Sequence, residues 1–364
     1  FYHAISSYST QNPFRVIEAQ KWFDVGHNEN YRKARTEVAA RSFNSIQIDE
    51  RRGLLKKTSE NREKLVNEIR WYLKLPNRVQ YLSPRIYDYS LDIDNPYVVM
   101  EYYGYHTLHD SLVYGNWLDE RWREVFSQLL FIVEDMGTFS LKGRTHECLE
   151  AMREIYLDKT VSRLEKIRET EAFCSFFSQP ICINGRVFGS LDFIMEQLPN
   201  LVERLLLPSG ECYFQIIHGD LCFSNILIDD TLNFMRLIDP RGKFGVFDIY
   251  GDVRYELAKL FHTLEGDYDF IIEDLFDVSV QGSNITYRLN VSKPNVFRLF
   301  CEVFKSKLED IRAIRLIEAT LFLSMIPLHS DCLTRQYAML ARGVELFYCV
   351  LEEDTDGKKS EFRI

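Results

Sequence analysis

The chain has 364 residues, 46% of them hydrophobic and 14% aromatic, with a formal net charge of −10. That length holds two or three domain-sized units or one two-lobed fold, and the acidic balance argues against a nucleic-acid surface, which needs a basic patch. The eight cysteines form no CxxC pair, a spacing that fits neither a zinc knuckle nor a disulfide framework and reads as a reducing compartment.

No signal-peptide pattern and no apolar run of about 18 residues occur, so no membrane span is expected, and a cytoplasmic location is. Residues 1–29 read as an extension or linker, and FDVGHNENYRKA (23–34) has the composition of a loop. RSFNSIQID (41–49) and RGLLKKTS (52–59) predict two strands separated by a short polar turn. ENREKLVNEIRWYLKLP (60–76) then places Leu65, Ile69, Tyr72 and Leu73 on one helical face, with Pro76 as a stop. RIYDYSLD (85–92) and PYVVMEYY (96–103) predict a hairpin turning through Asp94, Asn95 and Pro96.

Strand, strand, helix, strand, strand is the order of a small antiparallel sheet with one helix packed across it. The pattern then turns helical. DERWREVFSQLLFIVEDM (119–136) sets Trp122, Val125, Phe126, Leu129, Leu130 and Val133 at 3–4 spacing. Further helices are expected at 145–170, 187–207, 252–264, 294–307, 309–326 and 333–352. The fold class is therefore α+β and two-lobed, with a sheet lobe at 30–103 and a large, mainly helical lobe at 104–364.

Between the helices lies IIHGDLCFSNILIDDTLNFMRLIDPRG (216–242), where Asp220, Asn225 and Asp239 are walled in by aliphatic runs. Polar groups so placed are costly to bury unless something pairs with them. If the two apolar runs form a hairpin, Asp239 returns beside Asn225. A carboxylate and a carboxamide suit Mg²⁺, which keeps waters and phosphate oxygens in its shell. Asp220 then remains to accept a proton from an incoming hydroxyl. A catalytic Asp, an Asn five later and a metal-binding Asp on the next strand form the layout of phosphoryl transfer in kinases.

HGDLCFSNILID resembles the HGDxxxxN signature of the aminoglycoside phosphotransferase and choline kinase family, which has a protein-kinase-like fold, and IDPRG stands where protein kinases carry DFG. The wider run through YGDVRYELAKLFHTLEGDYD, with KWFDVGHNENY and RSFNSI before it, looks like the phosphotransferase module of bacterial capsule and surface-polysaccharide biosynthesis proteins. The resemblance implies that Asp220 is the catalytic base and that Asn225 and Asp239 hold Mg²⁺. It makes His218 a structural residue behind the loop and Cys222 a small packing residue. In that group the module often follows a sugar nucleotidyltransferase domain, which would account for a chain that starts at Phe1 rather than Met.

A kinase of this type also needs a cation for the nucleotide phosphates and a carboxylate to hold it. LLKKTS offers Lys56 and Lys57, of which only one can point into the cleft because strand residues alternate. The helix after them offers Glu68. The resemblance favours Lys57, and Lys56 stays open. There is no GxGxxG; Gly26 and His27 are the candidate contacts of a phosphate-covering loop. VVMEYYGY resembles the hinge that binds adenine, with Glu101 and Tyr103 offering backbone groups and Met100 lining the pocket. Arg241, Lys243 and Asp252 are candidates to touch phosphate or acceptor, Asp252 reading as structural.

These readings converge on an ATP-dependent phosphotransferase acting on a hydroxyl of a sugar, polyol or amino alcohol. Two alternatives stand beside it. A protein kinase is disfavoured by HGD in place of HRD and by the lack of an APE-like segment, and a catalytically silent kinase-like module by the complete Asp220, Asn225 and Asp239 set.

Overall fold

Alternation in LLKKTS sets the centre of the smaller lobe. In the computed structural model, which describes Tyr8 and residues 44–229, 231 and 234–356, this segment is strand β2 (Leu54–Ser59). It pairs antiparallel with β1 (Asn44–Asp49) and with β4 (Tyr97–Glu101), and β3 (Ile86–Ser90) closes the order β1–β2–β4–β3. Residues 41–43 and the loop at 23–34, with Gly26 and His27, lie outside the described residues.

Helix α1 (Arg62–Lys74) packs across this sheet. The Asn61 side chain caps it by accepting from the Lys64 N–H at 3.2 Å. It buries Leu65, Val66, Glu68, Ile69, Trp71 and Tyr72. Leu73, expected on the buried face, is instead 38% exposed. Over the last turn the covered arc takes in Trp71, Tyr72 and Leu75, and Trp71 and Tyr72 meet the larger lobe; the Trp71 Nε1–H donates to the Ile217 carbonyl at 2.7 Å.

The larger lobe begins with β5 (His106–Thr107), α2 (Leu108–Val113), α3 (Asp119–Gly137) and β6 (Ser140–Leu141). The helix expected over 145–170 is α4 (Thr145–Arg153), a π-helical turn at Glu154–Asp158, and α5 (Lys159–Glu165). After α6 (Cys174–Ser178) the chain forms strands β7 (Ile181–Ile183) and β8 (Arg186–Phe188), so the helix expected from 187 starts only at α7 (Leu191–Leu201) and ends in a second π-turn, Val202–Leu206.

Short strands β9 (Phe214–Ile216), β10 (Ile226–Ile228), β11 (Met235–Leu237) and β12 (Tyr250–Gly251) surround the central loop, and α8 (Val253–Leu264) follows directly. After α9 (Tyr268–Ile272), β13 (Phe276–Gln281) and β14 (Asn284–Leu289) form a hairpin that sequence reasoning did not anticipate; it pairs with β7. The lobe closes with α10 (Pro294–Val303), α11 (Ile311–Met325) and α12 (Leu333–Asp356). Every residue of α11 from Ala313 to Met325 is buried, which makes it the central helix of the lobe. No helix of the described residues is long and apolar enough to cross a membrane.

Candidate active site

Strand parity separates the two lysines. Lys57 pairs with Val98 across β4 and is 5% exposed, whereas the Lys56 ammonium lies over the Tyr97 ring, 4.7 Å from its centre. The Lys57 Nζ donates to both Glu68 oxygens at 2.9 and 2.8 Å and to an Asp239 oxygen at 2.6 Å. Burial works against the Lys57 charge, but Glu68 and Asp239 outweigh it and hold the ammonium above its ordinary value.

Asp239 has φ of +56°, a left-handed conformation that Asp tolerates better than most residues. The Tyr72 hydroxyl of α1 accepts its N–H at 3.1 Å. The loop beyond it lies hard against the same helix. A Cβ on Gly242 (φ +64°) would fall 2.0 Å from the Asn67 carbonyl oxygen. Glu68 and Asp239 are thus set by two segments packed backbone to backbone.

The other half of the site is the loop 217–225. Gly219 has φ of +76°, and a Cβ there would come within 2.8 Å of the Arg241 Cβ. His218 is fully buried; its Nε2 donates to the Ile238 carbonyl at 3.0 Å, and burial pushes the imidazole down to about 4, so it is neutral. The Asp220 carboxylate receives the Lys259 ammonium at 2.8 Å. Burial alone would push Asp220 up, yet Lys259 prevails and holds it well below the usual carboxylate range. The Asn225 Nδ2 donates to the Asp220 carbonyl at 2.9 Å and to its Oδ2 at 3.2 Å.

The β10–β11 hairpin joins the halves. Ile226 pairs with Leu237, and the Ile238 N–H donates to the Asn225 carbonyl at 3.0 Å, so Asn225 and Asp239 stand at one end of the hairpin. With the Asn225 Nδ2 spent on Asp220, its oxygen is the end left to face a cation. A carboxamide oxygen with the half-exposed Asp239 carboxylate is a hard-donor pair that fits Mg²⁺. Among the described residues no three His, Cys, Asp or Glu side chains gather as a metal cage.

At the far end of the sheet the Glu101 N–H donates to the Arg85 carbonyl and the Tyr102 N–H to Gly53, while the Tyr103 N–H makes no backbone bond among the described residues. The Tyr103 hydroxyl donates to the Glu101 carboxylate at 2.5 Å, and its ring stacks with Tyr105 and meets Phe234 edge-on. Met100 is buried.

Two residues that spacing did not reveal organise the loop, and both lie on α8. Glu256, fully buried, accepts the His218 N–H at 2.9 Å and the Gly219 N–H at 2.6 Å. Lys259 sits three residues on and pairs with Asp220. Asp252, a candidate ligand contact with a structural reading, makes no side-chain hydrogen bond to the loop among the described residues. It caps α8 by accepting the Arg254 N–H at 3.0 Å, receives the Tyr156 hydroxyl at 2.9 Å and binds the Arg254 guanidinium. Arg254 in turn donates to the Leu205 and Leu206 carbonyls that the second π-turn leaves open. Lys243 faces Glu63 at 3.4 Å, and Cys222 is buried with its sulfur 3.2 Å from the Ser224 hydroxyl. A concavity of about 560 Å³ between α1 and segment 243–248 includes none of Lys57, Asp220, Asn225 or Asp239.

No family model matches the chain, and no curated protein matches it in sequence. Among solved structures, a thermostable mutant of the aminoglycoside phosphotransferase APH(4)-Ia in its apo form superposes with a TM-score of 0.52 at 12% identity, over 86% of this chain and 91% of that one. A further variant of that mutant, in ternary complex with AMP-PNP and hygromycin B, gives a TM-score of 0.52 at 12% identity, over 87% and 92%. The likeness is one of fold. The chain has the two-lobed, protein-kinase-like architecture of these enzymes, with, among the described residues, a small antiparallel sheet lobe crossed by one helix and a mainly helical second lobe.

Proposed function

We propose that the protein is an ATP-dependent phosphotransferase that phosphorylates a hydroxyl of a small molecule. The observation that carries this reading is the convergence of Lys57, Glu68, Asp239, Asn225 and Asp220 at one end of the β10–β11 hairpin. A solved enzyme of similar fold is in ternary complex with AMP-PNP and hygromycin B, which supports a reading with a nucleotide and a small-molecule acceptor here.

In this reading the hinge residues Glu101 and Tyr103 present backbone groups to the base, and Lys57, fixed by Glu68, meets the phosphates. Asn225 and Asp239 hold Mg²⁺, which when bound neutralises charge on the phosphate oxygens. Asp220 accepts a hydrogen bond from the acceptor hydroxyl and aims its oxygen at the γ-phosphorus. The new O–P bond forms as the bond to the β-phosphate bridging oxygen breaks; the hydroxyl proton passes to Asp220 and ADP leaves. Because Lys259 keeps Asp220 a weak base, its first contribution is orientation, and the proton moves late.

We place the reaction in the cytoplasm, on the cysteine usage and the lack of a signal-peptide pattern, and in the making of a sugar or polyol unit of a surface polymer, on the resemblance that is strong at 214–270 and looser at 21–103. The test is ADP formation from Mg·ATP with a panel of sugars, polyols and amino alcohols beside a generic protein substrate. Transfer to protein alone would replace this reading with a protein kinase. Nucleotide binding with no transfer to any acceptor would replace it with a silent binding module.

A further inference from the structure

The cleft carries more positive charge than the chemistry above uses. Lys159 and Arg163 stand one turn apart on α5, in the helical stretch that precedes the central loop. The Lys159 ammonium lies 5.5 Å from the centre of the Tyr255 ring, and the Arg241 guanidinium lies 5.7 Å from the same ring while donating to the Tyr255 hydroxyl at 3.0 Å. Arg163 donates to the Ser324 carbonyl at 3.1 Å. Tyr255 is one turn before Lys259 on α8, and Arg241 packs on Gly219, the neighbour of Asp220. Lys159, Arg163 and Arg241 therefore gather about Tyr255, one turn of α8 from the Lys259–Asp220 pair.

Only Lys259 is matched. Among the described residues no carboxylate lies within ion-pair distance of Lys159, Arg163 or Arg241. The group is strained by its own charge. Burial, then Arg241, Arg163 and Lys259, pushes the Lys159 ammonium well below its ordinary value, and burial followed by Arg241 lowers Arg163. In a chain of net charge −10 this is not part of a generally basic surface. Unmatched cations held close together are costly until an anion joins them. Lys159 and Arg163 come from α5 of the helical lobe, whereas Lys57 stands on β2 of the smaller lobe.

We propose that Lys159, Arg163 and Arg241, arranged around Tyr255, form a subsite for an anionic group on the acceptor, a phosphate monoester or a carboxylate, so that the substrate is a phosphorylated or acidic polyol or sugar rather than an amine. This rests on the phosphotransferase reading for what happens at Asp220, but the anion subsite is measurable without turnover.

With the nucleotide site filled by Mg·AMP-PNP, inorganic phosphate and acetate are titrated against the parent, Lys56→Gln, whose ammonium lies over Tyr97, and Lys159→Gln/Arg163→Gln. Phosphate affinity should fall roughly tenfold or more in the double variant and stay within about twofold in Lys56→Gln. Comparing phosphate with acetate decides between the two anions. Equal weakening in both variants, or no measurable anion binding by the parent, overturns the subsite. Lys159→Gln alone removes a half-buried charge and carries the same comparison if the double variant does not fold. In turnover, glycerol 3-phosphate and glycerate are set against glycerol and ethanolamine. Preference for the anionic pair supports the proposal, and transfer to glycerol or ethanolamine with no gain from the anionic pair overturns it while the phosphotransferase reading stands. Failure to bind Mg·ATP would sink that reading separately.

Discussion

Lys57 and Asp239 are 182 positions apart in the chain and 2.6 Å apart in the fold. One ammonium on the smaller lobe thus serves both Glu68 and the carboxylate proposed to hold a cation. In the proposed reading a cation at Asp239 would compete with Lys57, and nucleotide arrival would exchange one partner of the lysine for another.

Asp239→Ala is expected to abolish Mg²⁺-dependent nucleotide binding while leaving thermal stability nearly unchanged, because Lys57 keeps Glu68 and the Asp239 side chain is 46% exposed. Calorimetric titration with Mg·ATP beside a thermal melt checks this. Undiminished affinity would take Asp239 out of the metal role.

Glu68→Ala removes the fully buried partner instead. Breaking a buried pair by deleting one member costs about 3–5 kcal/mol, and Asp239 is too exposed to replace what is lost. Urea unfolding of parent and variant measures it, and a loss below about 1 kcal/mol would show that the pair contributes like a surface bridge.

Asp220→Asn should bind Mg·ATP like the parent and lose a factor of about 10²–10⁴ in turnover. Lys259→Met tests the charge that sets this carboxylate. Without that ammonium, burial raises Asp220, so the acid limb of the pH–rate profile should move to higher pH. A limb that stays in place would mean Asp220 is not the group titrating in it.

His218 titrates at about 4 in the fold against an ordinary 6.5. Between those values the unfolded chain takes up a proton that the folded protein refuses. The contribution is full above pH 6.5 and fades as pH falls towards 4, by about 3 kcal/mol. Glu256, pushed up to about 7 by burial, slopes the opposite way, so the measurement is the difference between parent and His218→Gln. That difference should shrink as pH falls through this window; a constant gap would refute a neutral buried imidazole.

Gly53 and Gly242 share φ of +64°, but a Cβ on Gly53 meets nothing within 4 Å and one on Gly242 strikes the α1 backbone. Gly53→Ala should cost about 1 kcal/mol from backbone strain. Gly242→Ala should cost more than 3 kcal/mol, since the neighbour is backbone and cannot rotate away. Denaturant midpoints compare the two directly.

The smaller lobe was legible because period-two strands and one amphipathic helix follow each other with clear turns. Asp220, Asn225 and Asp239 stood out because they interrupt aliphatic runs within one short segment. Glu256 and Lys259 did not, since a charged residue within a helical pattern reads by default as solvent-facing. Their burial depends on a loop dozens of residues earlier. The π-turns were hidden for a different reason: one wider turn shifts the phase of the pattern without breaking it. The β13–β14 hairpin alternates in FDVSVQ and NITYRL, but short strands between long helices carry little pattern to weigh against them.

Two amides of the central loop end on a single buried carboxylate of α8, that of Glu256. The loop cannot open by itself without stranding that carboxylate among apolar side chains, so loop and helix should open as one cooperative unit. Hydrogen exchange at His218 and Gly219 would then be as slow as in the middle of α8, although neither residue belongs to a strand or a helix. The segment nearest the chemistry would keep time with the deepest part of the lobe, and the faster motions would be left to the walls around it.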